Sequence, residues 1–156
     1  MFDAPADTWY LWVGVATASA LAFGVAAALP TTVPPDAQRA AATVDAVATS
    51  PHNATGEHTL DATAVELGSR RIGLRNDGGT THAAFAYGPV TPVRGGTDLA
   101  AVLRGEPPGD VFSNATEFRT AAAEARNRTR AWRETDGRLV ARRVTWEGID
   151  VTLVGA

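Results

Sequence analysis

The sequence contains no cysteine and no lysine. The missing cysteine excludes disulfides, thiolate metal ligands, cysteine nucleophiles and lipid attachment through a cysteine side chain. The missing lysine excludes a Walker-type phosphate loop, because that loop needs a lysine to contact the nucleotide phosphates. All 14 basic residues are arginine, against 17 acidic residues, and the formal charge of −3 does not favour a nucleic-acid partner.

Catalytic motifs are missing as well. The chain has no Gly-x-Ser-x-Gly elbow, and no pattern joins a nucleophile to a base and an orienting group. His52 and His58 flank Glu57, but their spacing matches no established metal-ligand pattern. We interpret these histidines as loop or sheet-surface residues, and we expect a protein that is not an enzyme and has no cofactor and no metal.

A long uncharged segment stands near the N-terminus, from Trp9 to Leu29. At about 1.5 Å per residue, a helix over this segment is about 31 Å long, which matches the hydrocarbon core of a bilayer. Trp9, Tyr10 and Trp12 cluster at its start, as aromatic residues do at a membrane interface. We therefore predict an N-terminal transmembrane or filament-core helix, with membrane lipid as one partner.

The residues before this helix favour its retention in the finished protein. Met1–Asp7 contains no basic residue, whereas a secretory signal peptide begins with a basic stretch. The alternative is a cleavable signal peptide, for which Ala26, Ala27 and Ala28 provide a small-residue cleavage site.

Small residues recur along the predicted helix at intervals of four. Such spacing lets two helix backbones approach closely. We therefore expect this helix to pack against copies of itself or against other pilin-like subunits. The alternative is a lone anchor that is rich in alanine. The candidate helix-packing residues are Gly14, Ala16, Ala18, Ala20, Ala22, Gly24 and Ala28.

Three Asn-x-Thr sequons begin at Asn53, Asn114 and Asn127. This tripeptide is the acceptor for N-linked glycosylation, and in a secreted protein it marks a surface loop. Together with the missing cysteine, the sequons predict a head domain outside the cell, at the cell surface or in a filament, that carries N-linked glycan.

The rest of the chain predicts an α+β head domain. Asp36 is placed to cap a helix over Ala37–Ala48, and Pro34 and Pro35 precede it. Ala40, Val44 and Val47 form one stripe of this helix.

Apolar alternation after His58 predicts five or six antiparallel strands, with an edge segment around Val90 and Val93 and a hairpin turn at Glu147-Gly148. The stretch from Gly105 to Gly109 is expected to be a loop. A longer helix, capped by Asn114, is expected to extend to Trp132. The predicted fold is an N-terminal helix followed by a small domain with an antiparallel sheet and one or two helices. The predicted domains are 1–29 (N-terminal hydrophobic helix), 30–48 (proline hinge and amphipathic helix) and 49–156 (head).

Four arginines are predicted to lie at the end of the longer helix, at Arg126, Arg128, Arg130 and Arg133. Guanidinium groups bind carboxylate and phosphate groups, so these residues are candidates for a docking face that recognises acidic glycans or an acidic neighbouring subunit. The alternative is a solvated helix face whose arginines pair with Glu124 and Glu134.

The N-terminal helix, its amphipathic continuation and the antiparallel head together resemble type IV pilins and pseudopilins. The opening MFDAPADTWYLWVG (1–14) and the ending VTWEGIDVTLVG (144–155) also resemble a haloarchaeal family of unassigned function, found near genes for pilus-type ATPases. Prepilins carry a basic leader before the apolar helix, whereas segment 1–7 is acidic, so the resemblance implies an unprocessed or minor subunit.

Two functional hypotheses follow. The first is a pilin-like structural subunit of a cell-surface filament or secretion-type assembly, held together by the N-terminal helix. The second is a monomeric, membrane-anchored binding module that recognises envelope glycans or a membrane-protein partner through the arginine face.

Overall fold

The computed structural model describes the backbone of residues 6–27, 32–51 and 53–156, and for residues 6–8 and 23–27 it describes the backbone alone. The chain divides into two units, Met1–Thr31 and Thr32–Ala156. Each unit is described by itself below.

The first unit contains helix α1, Ala6–Ala27. Within the described ranges, no helix is both long enough and apolar enough to cross a membrane. The predicted transmembrane helix is therefore wrong. Alanine, glycine, serine and threonine make up more than half of α1 and are less apolar than leucine or valine, so the absence of charge alone does not make a span. Ala28 and Leu29, the end of the predicted segment, lie outside the described residues.

The second unit is α+β, as predicted, but it has more elements than predicted. Its described part contains the helices α2 (Ala37–Ala48), α3 (Asp98–Arg104), α4 (Pro108–Val111) and α5 (Ala115–Asn127). Its strands are β1 (Thr55–Thr59), β2 (Ala64–Leu67), β3 (Arg71–Asn76), β4 (Gly79–Ala84), β5 (Thr91–Pro92), β6 (Trp132–Glu134), β7 (Arg138–Trp146) and β8 (Ile149–Gly155).

The strands form two sheets rather than the single antiparallel sheet predicted from the sequence. Sheet 1 has the order β1-β7-β8-β5, and sheet 2 has the order β4-β3-β2-β6. The pairs in both sheets are antiparallel except β5 with β8, which run parallel. The expected edge segment around Val90 and Val93 is confirmed as β5, at an edge of sheet 1.

Helix α2 lies against both sheets. Asp36 caps it by accepting a hydrogen bond from the Arg39 backbone N–H at 2.9 Å, which confirms the predicted cap. The predicted stripe of Ala40, Val44 and Val47 is buried. It packs in one hydrophobic core with Ile72 and Leu74 of sheet 2 and with Leu139, Ala141 and Val154 of sheet 1.

Helices α3 and α5 cover the opposite face of sheet 1. Because side chains alternate along a strand, β7 sends Leu139 and Ala141 to the first core and Val144 to a second one. Phe118 of α5 is fully buried in this second core, with its ring 5.4 Å from Phe112 and 6.0 Å from Trp146 between centroids.

Two sequence predictions fail after residue 105. The stretch from Gly105 to Gly109, expected to be a loop, overlaps the short helix α4. Helix α5 ends at Asn127 instead of continuing to Trp132, which belongs to β6. Trp132 was read as part of the helical face, but it pairs with Glu66 at the edge of sheet 2.

Candidate functional site

The four predicted docking-face arginines line a single cleft, although Arg126 alone lies on α5. Arg128 and Arg130 follow the helix, and Arg133 lies on β6. Arg94, from the segment after β5, is the fifth arginine of the lining. We call this the arginine cleft, and define it by these five side chains. Its volume is about 50 Å³, and its remaining wall is formed by Val65, Leu67, Gly68, Ser69, Pro92, Val93, Ala125, Thr129, Ala131 and Ala156.

Arg126 is the most firmly placed of the five. It lies in the last turn of α5, and its Nε donates a hydrogen bond of 2.8 Å to Oγ1 of Thr91. Thr91 is fully buried, so this bond gives the hydroxyl its partner and fixes the guanidinium plane. Burial lowers the pKa of the Arg126 guanidinium from its ordinary value. In the described chain, no carboxylate lies within ion-pair distance of this half-buried cation.

Arg94 and Arg130 are held by contacts at the two sides of the cleft. Arg94 Nη2 donates to the carbonyl of Thr129 at 3.3 Å. The aliphatic part of Arg130 covers Gly68, because a Cβ added to that glycine would lie 2.6 Å from Arg130 Cδ. Arg133 is opposite Val65 in the β2–β6 pair. Thus two chain segments that are distant in sequence, at residue 94 and at residues 126–133, contribute arginines to one basic surface.

No acidic side chain lines the arginine cleft. Among the described residues, carboxylates pair with Arg39, Arg71, Arg138 and Arg143, and with none of the cleft arginines. The alternative interpretation requires Glu124 and Glu134 to pair with the helical arginines. In the described part of the chain, neither glutamate forms such an ion pair. The cleft concentrates positive charge on a chain whose net charge is negative.

The sequence-predicted helix-packing residues form a different surface. Gly14, Ala16, Ala18, Ala20 and Ala22 lie on α1 and are exposed. Gly24 belongs to the α1 backbone, and Ala28 lies outside the described residues. The larger apolar side chains of α1 are also exposed, for example Trp9 at 70% and Leu21 at 68%.

The three sequon asparagines are exposed. Asn53 Oδ1 accepts a hydrogen bond from the Thr145 backbone N–H at 2.8 Å. Asn114 caps α5, and Asn127 is the last residue of that helix. Each asparagine is therefore exposed, at a loop, a cap or a helix end.

A larger cleft of about 750 Å³ is lined by residues of sheet 1 and of α3. Its lining includes Glu57 and Arg138, which form an ion pair across β1 and β7. That hydrogen bond raises the pKa of the exposed Arg138 guanidinium. Arg142, also in the lining, donates to the carbonyl of Val102 at 2.6 Å. Glu57, Arg138 and Arg142 thus have partners of their own.

The described residues contain no group of three histidine, aspartate, glutamate or cysteine side chains that could hold a metal ion. His58 lies on β1, His82 lies on β4 with its ring 5.9 Å from that of Trp132, and His52 is outside the described residues. Arg94 was missed by sequence reasoning, since it stands 32 positions from Arg126 and no local pattern connects them.

Comparison with known proteins places the chain in a family. Residues 3–144 match the model of DUF7283, a family of unknown function. No curated protein and no solved structure matches the chain. Since the match covers most of the sequence, the chain belongs to this family.

Proposed function

We propose that this member of DUF7283 is a structural, pilin-like subunit of a cell-surface assembly, in which α1 packs against α1 of neighbouring copies. The observation that carries the proposal is the exposed apolar surface of α1. Every residue from 9 to 22 is exposed, and these residues include Trp9, Leu11 and Trp12. Exposed apolar surface on this scale marks an interaction site.

The arrangement of these side chains favours several neighbours over one. Successive residues of a helix point about 100° apart, so Trp9, Tyr10, Leu11 and Trp12 alone face all directions. Val13, Val15 and Leu21 fill the gaps. A helix that is apolar all round is suited to burial on every side rather than to docking along a single stripe.

A second copy of α1 is the partner that fits this surface. The helix has no charged residue after Asp7, so identical helices can approach without like-charge repulsion. Gly14, Ala18 and Ala22 recur every four residues, and no atom lies within 4 Å of a Cβ added to Gly14. Small residues in such a row allow close contact between backbones.

The head has its own hydrophobic cores, as a folded subunit of such an assembly requires. Both hydrophobic cores are built from residues between Ala37 and Val154. The exposed sequons at Asn53, Asn114 and Asn127 support a location at the cell surface.

Assembly of the full-length chain is the test. We expect sedimentation velocity and electron microscopy to show oligomers or filaments for the wild type. Ala18→Arg, which places a charge in the helix contact, should reduce the particles to monomers. Ala20→Leu should weaken assembly at least about tenfold, because a bulky residue separates the backbones. The matched control is Ala123→Arg on the exposed face of α5, which should assemble like the wild type.

The contrary results are equally definite. A wild-type chain that sediments as a monomer at high concentration contradicts the proposal. So does an Ala18→Arg variant that assembles as well as Ala123→Arg.

A further inference from the structure

The arginine cleft has a function that assembly through α1 does not use. We propose that it binds the oxyanion of a sulfate or phosphate ester carried by a polyanionic glycan. The basis is the convergence of Arg94, Arg126, Arg128, Arg130 and Arg133 on one small cleft whose lining holds no acidic side chain.

The cleft is small, which suits a compact oxyanion group. Its volume of about 50 Å³ is a few times the roughly 10–15 Å³ of the same measure that one water molecule requires. A sulfate or phosphate head therefore suits the cleft better than a whole sugar ring.

The number of donors favours a three-oxygen group over a carboxylate. Each guanidinium offers five N–H donors, and one bidentate pair already engages both oxygens of a carboxylate. A phosphate monoester, by contrast, presents three strong acceptor oxygens. Five arginines around one cleft therefore match a tetrahedral ester better than a planar carboxylate.

Two of the arginines are held in place in the absence of a ligand. Arg126 uses Nε for Thr91, and Arg94 uses Nη2 for the carbonyl of Thr129. In the described chain, each of these two side chains makes this one hydrogen bond. Their other N–H groups are therefore available for an anion. The dipole of α5 favours positive charge in the last turn of the helix, where Arg126 lies. Because the effect of the dipole fades beyond that turn, it does not explain the other four arginines.

The remaining arginines indicate that the ester belongs to a polymer. Arg128, Arg130 and Arg133 are exposed, in contrast to the half-buried Arg94 and Arg126. Exposed charges around the opening suit a ligand whose negative groups repeat along a chain. The cleft lining contains no aromatic side chain, whereas proteins that bind single-stranded nucleic acid stack its bases on aromatic rings. These features favour a glycan bearing charged esters over single-stranded nucleic acid.

The experiment compares sulfated dextran with neutral dextran by titration calorimetry on the full-length chain at fixed ionic strength. The wild type should bind the sulfated polymer and not the neutral one. Replacing Arg128, Arg130 and Arg133 together by alanine should weaken binding about eightfold, which is roughly twofold for each exposed ion pair. Sodium sulfate should displace the polymer more effectively than sodium chloride of the same ionic strength.

A second triple variant provides the matched control. Arg70, Arg104 and Arg119 are exposed and lie outside the cleft, so their replacement by alanine removes the same charge. This variant should bind within about twofold of the wild type, and both variants should keep the sedimentation profile of the wild type. Each variant is first checked by thermal unfolding to confirm that it is folded.

Three results overturn the proposal. Equal losses in the two triple variants show attraction by general charge and not by the cleft. If single-stranded DNA or polyglutamate binds as tightly as sulfated dextran, the cleft has no preference for a glycan ester. If the Arg128, Arg130 and Arg133 variant binds as tightly as the wild type, the arginine cleft is not the binding site.

Discussion

The guanidinium of Arg126 and the hydroxyl of Thr91 are joined by a hydrogen bond of 2.8 Å from Nε to Oγ1. The two residues are 35 positions apart, on α5 and β5. Among the polar residues of the described chain, Thr91 is the one that is fully buried. The bond therefore ties the end of a helix to an edge strand and orients one wall of the arginine cleft.

Replacement of Thr91 by valine tests this bond. Valine has nearly the same shape but no hydroxyl, so Arg126 Nε loses its acceptor while the strand stays packed. We expect the free energy of unfolding to fall by about 1.5–3 kcal/mol, as is typical for a hydrogen bond to a charged group. Urea denaturation measures the change. Thr91→Ser keeps the hydroxyl and should retain the Arg126 contact, so a valine variant no less stable than the serine variant would contradict the role of the bond.

The N-terminus of α5 supports a second prediction. Asn114 Oδ1 accepts from the Glu117 backbone N–H at 2.9 Å, and the Glu117 carboxylate accepts from the Ser113 backbone N–H at 3.0 Å. Asn114→Ala removes the cap and should cost about 1 kcal/mol of stability. Thermal unfolding measures this cost.

The matched control for that cap is Thr116→Ala, an exposed position within the first turn of α5. It should change stability by less than about 0.5 kcal/mol. Equal stability of the two variants would show that the cap contributes nothing measurable. Because Asn114 also begins a sequon, the comparison should use unglycosylated protein.

Local features of this fold were predictable, and the joining of distant segments was not. The caps at Asp36 and Asn114 and the turn at Glu147-Gly148 depend on a few adjacent residues, and the structure confirms them. At that turn both residues have positive φ, 47° and 79°, in agreement with a tight hairpin. The end of α5 was misjudged because the apolar spacing continues to Trp132, whereas pairing with β2 takes that residue into sheet 2.

The arginine cleft shows the same limit. The cluster from Arg126 to Arg133 is visible in the sequence, but its geometry depends on the chain leaving the helix at Asn127. Arg94 joins the cluster through the parallel pairing of β5 with β8, a contact between segments about 60 residues apart. No periodicity along the chain encodes such a pairing.

The charge of the arginine cleft should be insensitive to pH. Burial lowers the pKa of Arg126, so the folded protein would lose this proton at a lower pH than the unfolded chain. An arginine begins so far above neutrality that it still keeps its charge between about pH 5 and pH 9. We therefore expect the affinity for sulfated dextran, measured by titration calorimetry, to be flat over this interval. A decline of tenfold between pH 6 and pH 8 would instead indicate that groups other than arginine supply the binding charge.

The segment that leads into α2 provides the last prediction. Asn76 Nδ2 donates to the carbonyls of Val33 and Asp61, at 3.0 and 2.8 Å, and Asn76 Oδ1 accepts from the Gly78 backbone N–H at 2.8 Å. One side chain at the β3–β4 turn thus holds two other segments of the head. Asn76→Ala leaves these backbone groups without their partner and should lower the free energy of unfolding by about 1–3 kcal/mol.

Hydrogen exchange locates that effect. Because Thr81 Oγ1 still donates to the carbonyl of Pro35 at 2.5 Å, α2 should remain docked in the Asn76→Ala variant. Faster exchange should therefore be confined to the backbone around Asp61 and Gly78. The neighbouring exposed residue gives the control, and Asp77→Ala should exchange like the wild type. If exchange also accelerates throughout α2, then Asn76 holds the helix itself, and the contact with Thr81 is too weak to fix the start of α2 on sheet 2.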